Sequence, residues 1–131
     1  MTDPNMMILY VESPAASVTF YRSLLGKPPL EMSPTFAMFE MNAGTMLGLW
    51  SRQDVAPAAT PAGGGEIAFT MPDAAAVDAV HAEWRRRGLE IAQAPTDMDF
   101  GRTFVALDPD RHRLRVFAPA QPRGADRAAP G

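Results

Sequence analysis

Cysteine is absent from the 131 residues, and histidine occurs only twice. Without cysteine there is no disulfide, no thiolate nucleophile, no zinc ribbon and no CxxC redox pair. Long apolar runs are also missing: none approaches the roughly 18 residues that a bilayer span needs. The opening Met1-Thr2-Asp3-Pro4-Asn5 carries neither a charged n-region nor a hydrophobic h-region. The reading therefore predicts no export signal, no membrane partner and a cytoplasmic location. Positive charge is scarce too. Twelve Lys and Arg against fifteen Asp and Glu give a net charge of −3, with no basic block, finger or RNP motif, which excludes nucleic acid as the expected partner. What is there is a 47% hydrophobic fraction, sufficient for a packed core in a chain of one domain's length.

Read in order, Met6 to Val11 is a short apolar run that predicts a buried strand. Ser13-Pro14 supplies an N-cap followed by proline at the first helical position. Val18, Tyr21, Leu24 and Leu25 recur at helical spacing, and Gly26 stops the helix. After a proline-broken stretch, 27–34, two strand-like runs (36–41 and 45–51) are joined by Asn42-Ala43-Gly44, whose Asn and Gly tolerate the positive φ of a hairpin turn. Residues 53–65, rich in Pro, Ala and Gly, form the clearest internal boundary.

The second half repeats that order. Glu66 to Met71 predicts a strand, and Pro72-Asp73 opens a helix with Val77, Val80, His81 and Trp84 on one face and Gly88 as its stop. Strands follow at 89–92, 103–107 and 113–118. The last of these comes after the turn Asp108-Pro109-Asp110 and alternates, with Leu114, Val116 and Ala118 opposed to Arg113, Arg115 and Phe117. Residues 121–131 read as a disordered tail.

The Asp108-Pro109-Asp110 turn with its alternating strand, and the helix end Phe20-Tyr21-Arg22-Ser23-Leu24-Leu25-Gly26, resemble the vicinal oxygen chelate superfamily of glyoxalases, bleomycin resistance proteins and extradiol dioxygenases. The resemblance covers about residues 6 to 118. It implies an α+β fold of two βαβββ modules, about 6–52 and 66–118, whose curved mixed sheets enclose a cleft. They make one domain, 1–120. Arg111 stands where the family's turn usually has glycine.

Four inward positions of that fold usually hold a divalent metal through His, Glu or Gln. By position they are occupied here by Met6, Gly48, Glu66 and Arg115. A thioether, no side chain, one carboxylate and one guanidinium do not make a hard-metal site. His81 and His112 fall elsewhere, in mid-helix and beside the turn. No metal and no other cofactor is therefore expected, and the resemblance points to the metal-free, drug-sequestering branch.

Strand alternation groups Met6, Ile8 and Tyr10 on one strand face, Met46 and Trp50 with Gly48 on a second, Ala68 and Thr70 with Glu66 on a third, and Arg113 and Phe117 with Arg115 on a fourth. Gly48 would leave room for a flat ring, on which Trp50 would stack. Met98 and Phe100, in an expected loop near Asp97, Asp99 and Arg102, would close over a ligand. The plainer alternatives are a half-buried strand residue for Trp50 and a simple Glu66–Arg115 ion pair replacing the metal.

The leading expectation is metal-independent binding of a small hydrophobic or aromatic molecule, antibiotic resistance being one such role, with enzyme activity disfavoured. The alternative is a metal-independent isomerase or lyase with Glu66 as base and Arg115 stabilising an oxyanion. A third is a structural module with a vestigial cleft. By family analogy the chain is expected to be a homodimer.

Overall fold

The structure is a computed structural model that describes residues 4–61 and 65–120. The expected tail, 121–131, and part of the expected linker, 62–64, lie outside the described residues. Two compact units divide the chain, 1–63 and 64–131.

In the first unit, β1 (Met6–Val11) leads into α1 (Pro14–Leu25), then β2 (Glu31–Met32), β3 (Phe36–Glu40) and β4 (Met46–Ser51). The Ser13 hydroxyl accepts from the Ala16 N–H at 3.2 Å, satisfying a donor that the first helical turn leaves over. Gly26, at φ 72°, ends the helix in the left-handed conformation, where a Cβ would be strained. The sheet order is β1-β4-β3-β2, with β1 parallel to β4 and the other pairs antiparallel. Val11, Ala37, Phe39, Leu47 and Leu49 are buried beneath α1, together with Val18 and Tyr21.

The second unit repeats the plan: β5 (Glu66–Thr70), α2 (Ala74–Arg86), β6 (Glu90–Met98), β7 (Gly101–Leu107) and β8 (Arg113–Pro119). Its order, β5-β8-β7-β6, matches the first strand for strand, with the same single parallel pair. The Asp73 carboxylate caps α2 by accepting from the Ala76 N–H at 2.8 Å. Trp84 sits edge-on to Phe69 and Phe104, and His81 edge-on to Phe104, so His81 belongs to the packing under α2. Neither four-stranded sheet closes on itself.

Several expectations are corrected. At 42–44 the chain makes a 3₁₀ turn (Asn42–Gly44), and the positive φ falls on Ala43 (62°) and Gly44 rather than on Asn42. The expected linker begins with a second 3₁₀ turn at Arg52–Asp54 and buries Val55. The strand expected at 89–92 runs on to Met98, through Pro95. Proline removes a ladder donor, and two irregularities of register flank this stretch of an edge strand, the position where a strand tolerates it. Asp97 to Arg102 is therefore a hairpin, not a long loop. Gly101, at φ 137°, is required there because a Cβ would overlap the Ala118 carbonyl oxygen. Arg111 does adopt the left-handed conformation that glycine takes easily, at φ 69°.

Candidate functional site

Each sheet buries the face towards its helix and leaves the other open, and the predicted residues fall on the open faces. In the first unit, Met6, Ile8 and Tyr10 stand opposite Met46, Gly48 and Trp50 across the parallel pair. Because parallel partners in register share a face, the structure brings these six together. Sequence reasoning missed Phe36 and Met38, which pair with Trp50 and Gly48 and so join the same face. The alternation of Phe36, Met38 and Glu40 carried that signal.

Gly48 does admit a flat ring, but the ring is the protein's own. A Cβ at Gly48 would lie 3.0 Å from the Phe36 ring and 3.1 Å from the Met6 methyl. The expectation of ligand space at this position is thus corrected: Phe36 fills it and forms an apolar floor. Trp50 is half-buried, edge-on to Tyr10 with ring centres 6.4 Å apart. Met6 and Ile8 are 40% and 43% exposed, enough to meet another molecule. A concavity of about 450 Å³ in this unit, lined by Lys27, Pro29, Leu30, Glu40 and Met41 among others, lies at the hairpin end of β3, away from Trp50.

In the second unit the open face is organised by one ion pair. Arg115 Nε donates to Glu66 Oε1 at 2.6 Å, and Nη2 donates to Oε2 at 2.9 Å. The register explains the reach. Glu66 stands opposite Arg113, and Arg115 opposite Ala68, so the long guanidinium crosses the sheet diagonally to a residue two places back. Arg115 Nη1 also donates to the Thr103 hydroxyl at 3.1 Å, which itself donates to the Val116 carbonyl at 2.9 Å. Thr103, fully buried, was not anticipated from the sequence. It follows from the β7–β8 register, which sets Thr103 opposite Phe117 and Val105 opposite Arg115.

Phe100 and Phe117 complete the group. Their rings meet edge-on at 6.0 Å, and the Arg115 guanidinium carbon lies 5.8 Å from the Phe100 ring centre, a cation–π distance. Met98 stands across the hairpin from Gly101 and is 44% exposed. Asp97 is turned to other work: with Asp78 of α2 it holds Arg102, at 3.0 and 2.7 Å. His112 is tied to the buried Asp108, whose other oxygen accepts the Asp110 and His112 N–H groups, and so serves the turn.

The electrostatics follow from this geometry. Hydrogen bonds from Arg115 hold the Glu66 carboxyl below its ordinary value; burial opposes this, and the charges of Arg115 and Arg113 reinforce it. The Arg115 guanidinium is raised in turn by those bonds.

A divalent metal does not fit this donor set. The positions that the fold would assign to ligands hold Met6, Gly48, Glu66 and Arg115, and both Glu66 oxygens are committed to Arg115. Among the described residues no group of three or more His, Asp or Glu side chains is placed to hold a metal ion. Nor is any described helix long and apolar enough to cross a membrane.

Two four-stranded mixed sheets of identical strand order, each carrying one helix, define the glyoxalase-like α+β class. Residues 4–116 match the model of the Glyoxalase/Bleomycin resistance protein/Dioxygenase superfamily. The chain is 32% identical over 117 residues to the phenazine antibiotic resistance protein EhpR of Enterobacter agglomerans, covering 86% of this chain and 89% of that one. Among solved structures, protein ATC0852 of Agrobacterium tumefaciens is 51% identical, covers 92% of this chain with all of its own, and superposes with a TM-score of 0.84. A glyoxalase/bleomycin resistance protein/dioxygenase from Nocardioides shares the fold at 24% identity, covering all of this chain and 89% of that one, with a TM-score of 0.78. The chain belongs to the glyoxalase/bleomycin resistance protein/dioxygenase superfamily.

Proposed function

We propose that this protein binds and sequesters a flat aromatic small molecule of the phenazine kind, without altering it, and so confers resistance. One observation carries the reading: the open face of the first unit presents Trp50, Tyr10 and Phe36 as a half-buried aromatic row. Such a row offers stacking area at little conformational cost. The neighbouring Met6, Met38 and Met46 adapt to ligand shape. Similarity to a phenazine resistance protein supports the ligand class.

The alternative, Glu66 as the general base of an isomerase or lyase, loses support from the same ion pair. A carboxylate held low by Arg115 is a weak base at neutral pH. The reading places the protein in the cytoplasm as one domain that works as a homodimer. Consecutive exposed side chains Met6, Met7 and Ile8 on the edge strand β1 support self-association. A monomer mass by light scattering would remove the dimer from the reading.

Titration with phenazine, followed by tryptophan fluorescence in EDTA and by mass spectrometry of the compound, tests the function. Trp84 is buried against Phe69 and Phe104 and contributes a constant background. Saturable quenching that disappears in Trp50→Phe, with the compound recovered intact, is the expected result. Turnover in EDTA would instead assign Glu66 and Arg115 to catalysis, and quenching only with added divalent metal would overturn the metal-free reading.

A further inference from the structure

Gly48 stands in the middle of the open face of the first unit, between Ile8 on β1 and Met38 on β3. A glycine inside a strand leaves a pit in the sheet surface, because the neighbouring side chains rise around a position that has none. Here the pit is closed. Gly48 is buried although it lies on that face. The atoms that a Cβ would meet belong to the Phe36 ring, at 3.0 and 3.1 Å, and to the Met6 methyl, at 3.1 Å. Neither residue is the direct partner of Gly48 in the ladder. Phe36 is opposite Trp50 and Met6 opposite Met46, so both lean diagonally over the glycine, one from each neighbouring strand. The missing Cβ is what lets the Phe36 ring come this close to the sheet.

The consequence is one of shape. An empty pit on the face that carries Trp50 and Tyr10 would accept a group projecting from the plane of a bound ring. With Phe36 in the pit, an aromatic molecule gains contact there only across its flat side. A projecting group would hold the ring off the surface and forfeit that contact, since dispersion attraction falls steeply with separation.

We infer that Phe36, seated on Gly48, determines specificity at this face: it selects flat fused aromatic rings and rejects rings that carry an out-of-plane group. This rests on the proposed binding of aromatic molecules by the first unit and assigns the residue that restricts them to flat ones.

The test is calorimetric titration of the full chain at pH 7 with acridine and with 9-phenylacridine, whose phenyl group stands across the plane of the fused rings. The parent protein is expected to bind acridine about tenfold tighter or more, the penalty of forcing bulk against a filled surface. In Phe36→Ala the emptied pit receives the phenyl group, and the preference should be lost or reversed. Phe36→Ala/Gly48→Ala puts a Cβ into the space that the ring has left, and part of the preference for acridine should return. A residue that merely supported the strand would not behave in this way, because its loss would weaken both compounds alike. Circular dichroism establishes that each variant is folded. If Phe36→Ala is not, Phe36→Leu, whose side chain covers less of the pit than a ring, carries the same test with a smaller shift. Equal affinities in the parent, or a preference there for 9-phenylacridine, would overturn the inference and leave aromatic binding standing. So would a preference for acridine that is unchanged when Phe36 is replaced. If neither compound binds the parent, the functional reading falls and this inference with it.

Discussion

Replacing Arg115 alone should cost more than replacing the ion pair as a whole. Arg115→Met keeps the apolar stem but removes three hydrogen bonds, at 2.6, 2.9 and 3.1 Å. It leaves the Glu66 carboxylate, 29% exposed, without its main cation. Hydrogen bonds to charged groups contribute about 1.5–3 kcal/mol each when well buried. Because water can reach both partners here, the loss should be about 2 kcal/mol in total. Glu66→Leu/Arg115→Met strands no charge, and Thr103 still donates to Val116, so the double variant should stay within about 1 kcal/mol of the parent. Urea unfolding in a Trp50→Phe background gives the measurement, since the remaining Trp84 lies in the core of the second unit. With a slope of about 1–2 kcal/mol per M for a unit of this size, the single variant should lower the midpoint by about 1–2 M. The double-mutant cycle should return a coupling of at least 1 kcal/mol. If the double variant loses the sum of the two single losses, the pair is not coupled and the reasoning fails.

The same pair sets a pH dependence. Glu66 is depressed below its ordinary value of 4.5 in the folded protein, so its contribution is complete above that value and lost as pH falls through the folded one. The stability difference between the parent and Glu66→Leu/Arg115→Met should be flat from neutrality to about pH 5.5 and shift against the parent below pH 4.5; urea midpoints that differ by a constant amount down to pH 3 would contradict this. At the other unit's core, the Ser17 hydroxyl is fully buried with no hydrogen-bond partner among the described residues. Ser17→Ala removes that cost and improves helix propensity, so it should stabilise by about 0.5–1.5 kcal/mol, and thermal unfolding at a lower temperature than the parent would show the hydroxyl to be satisfied.

The parts legible in the sequence were those written in local chemistry. Ser13-Pro14 and Gly26 bracket the first helix as they stand, and Asp73 caps the second, because caps act within four residues of chain. The twofold recurrence of strand and helix gave the topology. The pairing of Glu66 with Arg115 was legible as well, since neighbouring parallel strands bring diagonal residues within a long side chain's reach. What escaped was set by third strands. Phe36 filling the space over Gly48, and Thr103 holding Arg115, both depend on antiparallel registers that no local pattern specifies. The run of β6 beyond Ala92 to Met98 escaped as well. Proline reads as a strand breaker until the strand is known to lie at a sheet edge with an irregular ladder.

The ion pair ties its strands together as a metal held by residues of different strands would. A metal held by residues of different strands ties those strands together through its ligand bonds. Here the bidentate contact ties the edge strand β5, through Glu66, to β8, and the bond from Arg115 to Thr103 extends the tie to β7. Three adjacent strands are thus joined on the open face by one guanidinium. That accounts for Arg115 on structural grounds alone.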